Sequence, residues 1–235
     1  MGDKFPLNHC LLWFEELSST QDYLKERPNL NCTVIAKRQK SGRGRYGREW
    51  ESQEGGLYFS FPLKEGIRDE GTLPLVISLS VAELLEGLGI LASIKWINDV
   101  YVRGKKISGV LIEKVKGRLI VGIGLNVNQK GFSEGLEATS LYLVSQKEHD
   151  LRDIFLRLMG YIHKNLDVLE REGFNFLRPE IKRRLLFLGQ EVILYTEPPT
   201  LGILHDLSER GELILLTAEG EKRFTGGEVS LRALG

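Results

Sequence analysis

The residues best equipped for chemistry lie in one run, Ser41-Gly42-Arg43-Gly44-Arg45-Tyr46-Gly47-Arg48-Glu49-Trp50. Arg43, Arg45 and Arg48 repel one another until an anion arrives. Gly42, Gly44 and Gly47 make the same backbone costly to order. A loop that closes over a negatively charged ligand satisfies both conditions. Guanidinium groups grip phosphate and carboxylate through a planar, multidentate fork, and Trp50 offers a flat face for a base. The run contains Gly42-x-Gly44-x-x-Gly47, the spacing of a dinucleotide fingerprint, but that pattern needs a helix directly behind it. Here Glu49 to Gly56 lead toward a strand instead. The P-loop spacing is absent too. The arginines therefore supply the charge that a helix dipole supplies elsewhere. A solvated basic hairpin or an arginine-rich RNA-binding module fits the spacing as well.

Two more clusters carry polar groups where apolar strands end. Lys95-Trp96-Ile97-Asn98-Asp99, followed across a short turn by Lys106, places Asn98 and Asp99 at a strand terminus, a usual place for site residues in α/β folds. A plain hairpin with an Asn-Asp turn is the alternative. In Gly122-Ile123-Gly124-Leu125-Asn126-Val127-Asn128, alternation puts Asn126 and Asn128 on one strand face. An amide there can read an adenine edge, or the face is simply solvated. Nearer the start, Ser18-Ser19-Thr20-Gln21 ahead of Leu24 reads as a helix N-terminus. The histidines are His9, His149, His163 and His205, and none falls in these clusters. No Ser-His-Asp set can be assembled, nor a His-Glu-x-x-His metal motif. A reaction here relies on positioning and charge, with the substrate bringing its own nucleophile.

The elements that must position these clusters are legible in outline. Cys10 to Phe14, within residues 8–16, reads as a buried strand. Thr33-Val34-Ile35-Ala36 is a β-branched strand leading to Gln39 and the arginine loop. Residues 56–61 alternate as a strand, and Leu73 to Leu88 has helical spacing that ends near Gly87 and Gly89. Further strands are expected at 93–97, 100–102, 107–113 and 119–127. Asp150 opens a long amphipathic helix that Gly173 closes, and a shorter helix follows around 179–186. Beyond Gln190, short Val, Ile and Leu runs separated by turns at Pro198-Pro199, Glu209-Arg210-Gly211, Glu219-Gly220 and Gly226-Gly227 read as a small β-barrel or sandwich. The expected division is 1–188 and 189–235.

The 235 residues carry 32 basic and 32 acidic side chains, a formal net charge of zero, so wholesale electrostatic binding to nucleic acid or membrane is not expected. Two cysteines, Cys10 and Cys32, are too few for a disulfide framework, and a reducing, cytoplasmic setting follows from that reading. No signal peptide and no membrane-length apolar run is seen.

Taken in order, the clusters resemble the biotin–protein ligases (biotin–[acetyl-CoA-carboxylase] ligases). The carriers of the resemblance are Ser19-Thr20-Gln21, Gly42 to Trp50, Lys95 to Asp99, Lys106-Ile107-Ser108-Gly109-Val110-Leu111-Ile112-Glu113 and Gly122 to Asn126. Gln21 stands where the family has Asn, and Ile97 where it has Pro. The resemblance implies an α/β (α+β) fold: a catalytic core like that of class II aminoacyl-tRNA synthetases, with a mixed, largely antiparallel sheet, then a small SH3-like β-barrel. It implies that biotin and ATP form biotinyl-5′-AMP and pyrophosphate, with Mg²⁺, and that biotin then passes to a lysine of the biotin carboxyl carrier protein. By position, Arg43 and Lys106 would be catalytic. Ser19, Thr20, Gln21, Gln39, Gly42, Arg43, Gly44, Arg45, Lys106 and Gly109 would bind biotin. Arg45, Arg48, Trp50, Asn98, Lys106 and Asn126 would bind ATP and the adenylate, and Asp99 could hold the metal. A homodimer is implied, and no DNA-binding or membrane role. A lipoate or octanoate ligase or transferase of the same fold is the neighbouring alternative.

Overall fold

The computed structural model describes residues 10–225 and the backbone of 231–233. The elements, in chain order, are β1 (Leu11–Leu17), α1 (Thr20–Lys25), β2 (Thr33–Gln39), β3 (Leu57–Lys64), α2 (Leu73–Glu86), β4 (Ser93–Lys95), β5 (Asp99–Val102), β6 (Lys105–Val115) and β7 (Arg118–Leu125). They continue with α3 (Leu141–Ser145), α4 (Leu151–Glu172), α5 (Phe174–Lys182), β8 (Glu191–Leu194), β9 (Thr200–Leu207), β10 (Leu213–Thr217), β11 (Gly220–Phe224) and β12 (Leu231–Ala233). The first seven strands form one sheet in the order β1-β2-β3-β7-β6-β5-β4, and the last five a second sheet in the order β11-β10-β9-β8-β12. Only β1 and β2 pair parallel among these strands; the remaining pairs are antiparallel. The mixed, largely antiparallel core sheet and the small β unit are both present.

Burial separates the centre of the large sheet from its edge. Leu57 through Leu63 of β3 are all buried, because β3 is a central strand covered on both faces. The alternation expected for residues 56–61 is therefore not an in-and-out pattern: Ser60 is as buried as its aromatic neighbours. α2 is buried almost all round, as expected of a helix apolar on every side. α4 buries a stripe of Ile154, Phe155, Leu158, Ile162, Leu166 and Leu169. Its Asp150 cap accepts a hydrogen bond from Asp153 N, and Gly173, at φ 85°, ends it.

β1 corrects the expectation of a buried strand. It is the edge of the sheet, with Leu11 48 % and Trp13 37 % exposed. Its other face, Leu12 and Phe14, packs against a small cluster of Leu24, Val34 and Ile120, which Leu17 joins at the strand end. The cysteines also depart from the reading. Cys10 and Cys32 are joined as a disulfide, with Cα atoms 4.4 Å apart. Parallel pairing sets Leu11 beside Thr33, so the residues just before each strand meet. Their separation of 22 residues carried no such signal, and the pairing removes the cysteine count as an argument for a reducing compartment.

The small sheet does not float free. Leu204, Leu207, Leu213 and Leu215 belong to the same buried cluster as α2, α4 and the large sheet. Trp96 donates its indole N–H to Gly211 O across 2.9 Å, and Lys182 pairs with Asp206 at 2.9 Å. The turn expected at Gly226-Gly227 lies outside the described residues.

Candidate active site

One cavity of about 650 Å³ gathers residues from all the sequence clusters. It lies along the large sheet and changes character from end to end.

The first end is neutral and buried. Ser19 caps α1, accepting from Asp22 N, which fixes Thr20 and Gln21 in the first turn. Thr20 N donates to Gln39 Oε1 at 2.8 Å, and Gln39 Nε2 donates to Ser52 Oγ at 2.9 Å. Thr20 Oγ1 lies 2.9 Å from Ser60 Oγ, which donates to Gln21 Oε1 at 3.0 Å, and Gln21 Nε2 donates to Ile120 O at 3.0 Å. A network with each member paired is rigid. Both ends of the Gln21 amide are used in it, so Gln21 holds Thr20 and Ser60 in place from behind. A Cβ at Gly122 would come within 2.5 Å of Gln21 Oε1, which explains that glycine. Ser60 was not among the sequence candidates; its only signal was a serine set among Tyr58, Phe59 and Phe61.

The floor is a glycine pair. Gly109 of β6 and Gly124 of β7 are directly paired, and the Trp50 indole lies over them. A Cβ at Gly124 would sit 2.5 Å from Trp50 Nε1, and one at Gly109 3.0 Å from the ring. Trp50 Nε1 is buried with no hydrogen-bond partner. Lys106 Nζ is 5.2 Å from the ring centroid.

The second end is charged. Lys106 Nζ and Asp99 Oδ2 are 2.7 Å apart, while Asp99 Oδ1 is buried without a partner. Arg45 donates to Asn98 Oδ1 at 3.2 Å and to Tyr46 Oη at 2.8 Å. Asn98 Nδ2 donates to Val110 O at 2.8 Å. The Trp96–Ile97 peptide before this corner is cis.

The arginine run folds as a narrow hairpin over the cavity. Gly44 N donates to Arg48 O at 2.7 Å and Trp50 N to Gly42 O at 2.9 Å, with Tyr46 and Gly47 at φ 58° and 69°. At Gly42 a Cβ would be 2.5 Å from Trp50 O, so the strands of the hairpin could not close on a larger residue. Arg48 lies 5.8 Å from the Tyr46 ring centroid. Arg43 lines the cavity but is held from behind: its Nη2 donates to Asp22 Oδ1 at 2.5 Å and to Glu113 Oε2 at 3.3 Å. Lys25 completes that ion cluster, 2.7 Å from Glu113.

β7 ends at Leu125, so Asn126 and Asn128 do not share a strand face as expected. Asn126 is buried, donating to Thr139 O at 3.0 Å and accepting from Gln129 at 3.3 Å, and it still lines the cavity. Asn128 exchanges both amide groups with the backbone of His149 and closes a loop. Phe132 and Leu136, which sequence reading passed over, also line the cavity. An aromatic in a polar, glycine-rich stretch was the available signal. Burial lowers the His149 pKa, but His149 stands outside the cavity, against Ser145. Burial likewise pushes the Tyr58 phenol well above its ordinary range, and it acts as a neutral link between Gln53 O and Gln129.

Among the described residues, no three His, Cys, Asp or Glu side chains come together as a metal cage. A magnesium ion that arrives with a nucleotide needs only one or two protein carboxylates. The unpaired Asp99 Oδ1 fits that requirement.

The fold and cavity are those of a ligase whose site has a neutral and a charged end. A model of the biotin/lipoate A/B protein ligase family matches residues 13–129, and one of the biotin protein ligase C-terminal domain matches residues 187–232. The chain is similar to biotin protein ligase from Aquifex aeolicus, solved in complex with biotin and ATP: TM-score 0.88, 44 % identity, covering 96 % of this chain and 99 % of that one. It is 32 % identical to the bifunctional ligase/repressor BirA of Bacillus subtilis over 94 % of this chain and 74 % of that protein. It is 30 % identical to the biotin–[acetyl-CoA-carboxylase] ligase of Mycobacterium tuberculosis over 77 % of this chain and 72 % of that protein. The chain belongs to the biotin protein ligase family.

Proposed function

We propose that this chain activates biotin with ATP and transfers it to a lysine of the biotin carboxyl carrier protein of acetyl-CoA carboxylase. The observation that carries the reading is a cavity whose neutral, hydrogen-bonded end and charged end meet over the Gly109–Gly124 floor. The uncharged bicyclic head of biotin suits Ser19, Thr20, Gln39 and Ser60. Its carboxylate then reaches Lys106 beneath Trp50. The carboxylate oxygen attacks the α-phosphorus of ATP, and the bond to the β-phosphate breaks with its electron pair leaving on pyrophosphate. Lys106, Arg45 and Arg48 offset the charge that gathers on the α-phosphate. Asn126, which lines the cavity with Phe132 and Leu136, reads the adenine. In the second step the acceptor lysine amine attacks the acyl carbon, the acyl–oxygen bond breaks and AMP departs.

The chain needs no nucleophile of its own, and none of the described histidines lines the cavity. Arg43, anchored by Asp22 and Glu113, braces the base of the hairpin and adds positive potential from behind. Asp99, beside Lys106, would hold a magnesium ion, whose role when bound is to neutralise phosphate charge.

We place the division between catalytic core and C-terminal β domain near Leu188. The exposed edge of β1, with Leu11 and Trp13 outward, supports a homodimer built along the sheet edge. The need for ATP and a carboxylase subunit supports a cytoplasmic setting. No helix among the described residues is long and apolar enough to cross a membrane. The testing experiment is acid-dependent ATP–pyrophosphate exchange with biotin and with lipoate, followed by labelling of a purified carrier domain. Biotin-driven exchange and a labelled lysine are expected; exchange driven by lipoate alone would transfer the chain to the lipoate branch of its family.

A further inference from the structure

Asn126 is one end of a buried chain of hydrogen bonds that runs away from the cavity through Gln129 and Tyr58. The three side chains are 2 %, 3 % and 0 % exposed. Gln129 Nε2 donates to Asn126 Oδ1 at 3.3 Å and to Tyr58 Oη at 2.8 Å, and Tyr58 Oη donates to Gln53 O at 2.7 Å. We propose that Gln129 is a positioning residue for base recognition: by fixing which way round the Asn126 amide lies, it sets the preference for adenine over guanine. The inference rests on the adenylation reading above, in which Asn126 meets the base.

Three observations support it. The first is polarity. A side-chain amide can lie two ways round, exchanging its oxygen and its NH2 group. Here backbone groups, which cannot exchange roles, remove the choice. Val127 N can only donate, and it donates to Gln129 Oε1 at 2.8 Å, so the other end of that amide is the NH2 group. Gln53 O can only accept, so it takes the Tyr58 hydroxyl proton and leaves Tyr58 Oη an acceptor toward Gln129. Burial keeps that phenol protonated. Thr139 O can only accept, and Asn126 Nδ2 donates to it at 3.0 Å. A reversed Asn126 would set NH2 against the NH2 of Gln129 and oxygen against Thr139 O.

The second is complementarity. An amide has two acceptor sites and two N–H groups, and this one spends one of each on Gln129 and Thr139. One acceptor and one donor remain on a side chain that lines the cavity. Adenine offers an amino N–H beside a ring-nitrogen acceptor, whereas guanine places its O6 acceptor where adenine has the amino group. The orientation that Gln129 imposes suits the first base, and the reversed amide would suit the second. A site that leaves buried polar atoms unpaired against the wrong base discriminates far more sharply than an apolar pocket.

The third is rigidity. A Cβ at Gly56 would collide with both Tyr58 Oη and Gln129 Nε2, so a glycine there leaves room for their contact. Ser140, which caps α3 by accepting from Leu143 N at 3.1 Å, donates to Gln129 O at 2.6 Å. Leu141 N and Tyr142 N donate to Asn126 O and Val127 O. The first turn of α3 thus clamps the backbone that carries both amides. At its far end the chain reaches Gln53, three residues beyond Trp50, so the Asn126 amide is tied to the segment that leaves the arginine hairpin.

The test compares wild type with Gln129→Met, Gln129→Glu, Tyr58→Phe and Asn126→Leu. The readout is the ratio of kcat/KM for ATP to that for GTP in biotin-dependent nucleotide–pyrophosphate exchange, a ratio that partial loss of folded enzyme does not change. Gln129→Met keeps the length and removes the amide; it is expected to lower the ratio about tenfold, chiefly through the KM for ATP. Gln129→Glu sets an acceptor against Asn126 Oδ1 and is expected to lower it further, and Tyr58→Phe about threefold. Biotin affinity by calorimetry is expected to stay at its wild-type value. An unchanged ratio in both Gln129 variants would overturn the proposal; where those variants do not fold, an unchanged ratio in Tyr58→Phe decides the same way. An equal loss of biotin affinity would also overturn it, by making Gln129 a structural residue. Selectivity lost in Asn126→Leu but kept in Gln129→Met defeats this inference alone. Wild-type selectivity in Asn126→Leu defeats the base-reading role beneath it, and absence of biotin-dependent exchange in the wild-type protein defeats the adenylation reading.

Discussion

The two ends of the cavity are built on opposite principles. Around Thr20, Gln39 and Ser60 the polar atoms are neutral, buried or half-buried, and hydrogen-bonded to one another. Around Asp99 and Lys106 they are charged and partly open, and Asp99 Oδ1 lacks a partner. The first arrangement is finished before a ligand arrives and selects by shape and a few hydrogen bonds. The second is incomplete alone and gains most when charge develops beside it. On the proposed function, recognition of the acid and catalysis of its activation fall to different ends, with Trp50 and the glycine floor as the joint.

Removing Lys106 tests the separation most severely. Lys106→Met should cut the adenylation rate by about 10²–10³-fold, as loss of a charge-stabilising donor does. Biotin binding by calorimetry should fall far less. Comparable losses in both would merge the two ends into one. The neutral end also depends on β1, α1 and β2, which the Cys10–Cys32 bridge closes into a loop. Replacing both cysteines by serine should lower unfolding stability by roughly 3 kcal/mol on chain-entropy grounds. Thermal denaturation reads this, and turnover at ambient temperature should persist; an unchanged melting temperature would show that the bridge constrains nothing.

At the joint, Gly124→Ala should displace the indole, because no Cβ fits 2.5 Å from Trp50 Nε1. A shift in tryptophan emission should accompany roughly tenfold weaker adenylate binding, comparable to losing one buried aromatic contact. Emission identical to wild type would mean that the floor gives way instead. The mildest change is Gln39→Ala, which leaves the buried Thr20 N–H without its acceptor. Biotin affinity should drop by about tenfold, the cost of one unsatisfied buried donor, while the KM for ATP stays put. A matching rise in the ATP KM would show that the ends communicate.

Much of this was legible in the residues. The arginine hairpin, the Lys106 and Asp99 cluster, the capped turn at Ser19 and both long helices announce themselves through local pattern, because charge repulsion, capping and helical periodicity act over a few positions. Ser60, Phe132 and Leu136 did not, since a serine in an apolar strand or an aromatic in a loop gains meaning only from what folds opposite it. The same limit explains the buried reading of β1: an apolar run reports the capacity to be buried, and the sheet order decides whether it is.

The sequence by itself pointed to an anionic ligand through charges and glycines written into short stretches, and the resemblance those stretches carry named a carboxylate meeting a phosphate. Tertiary structure decided how those charges are divided. Asp22 and Glu113 are 21 and 70 residues from Arg43, yet they pair with it, while Arg45 donates to Asn98, 53 residues away. Pairing of β1 with β2 joined the cysteines, and packing of the small sheet set Gly211 O against the Trp96 indole. Each of these depends on which distant segments come within a few ångströms, where Coulomb and hydrogen-bond energies are large, and no local pattern encodes that proximity.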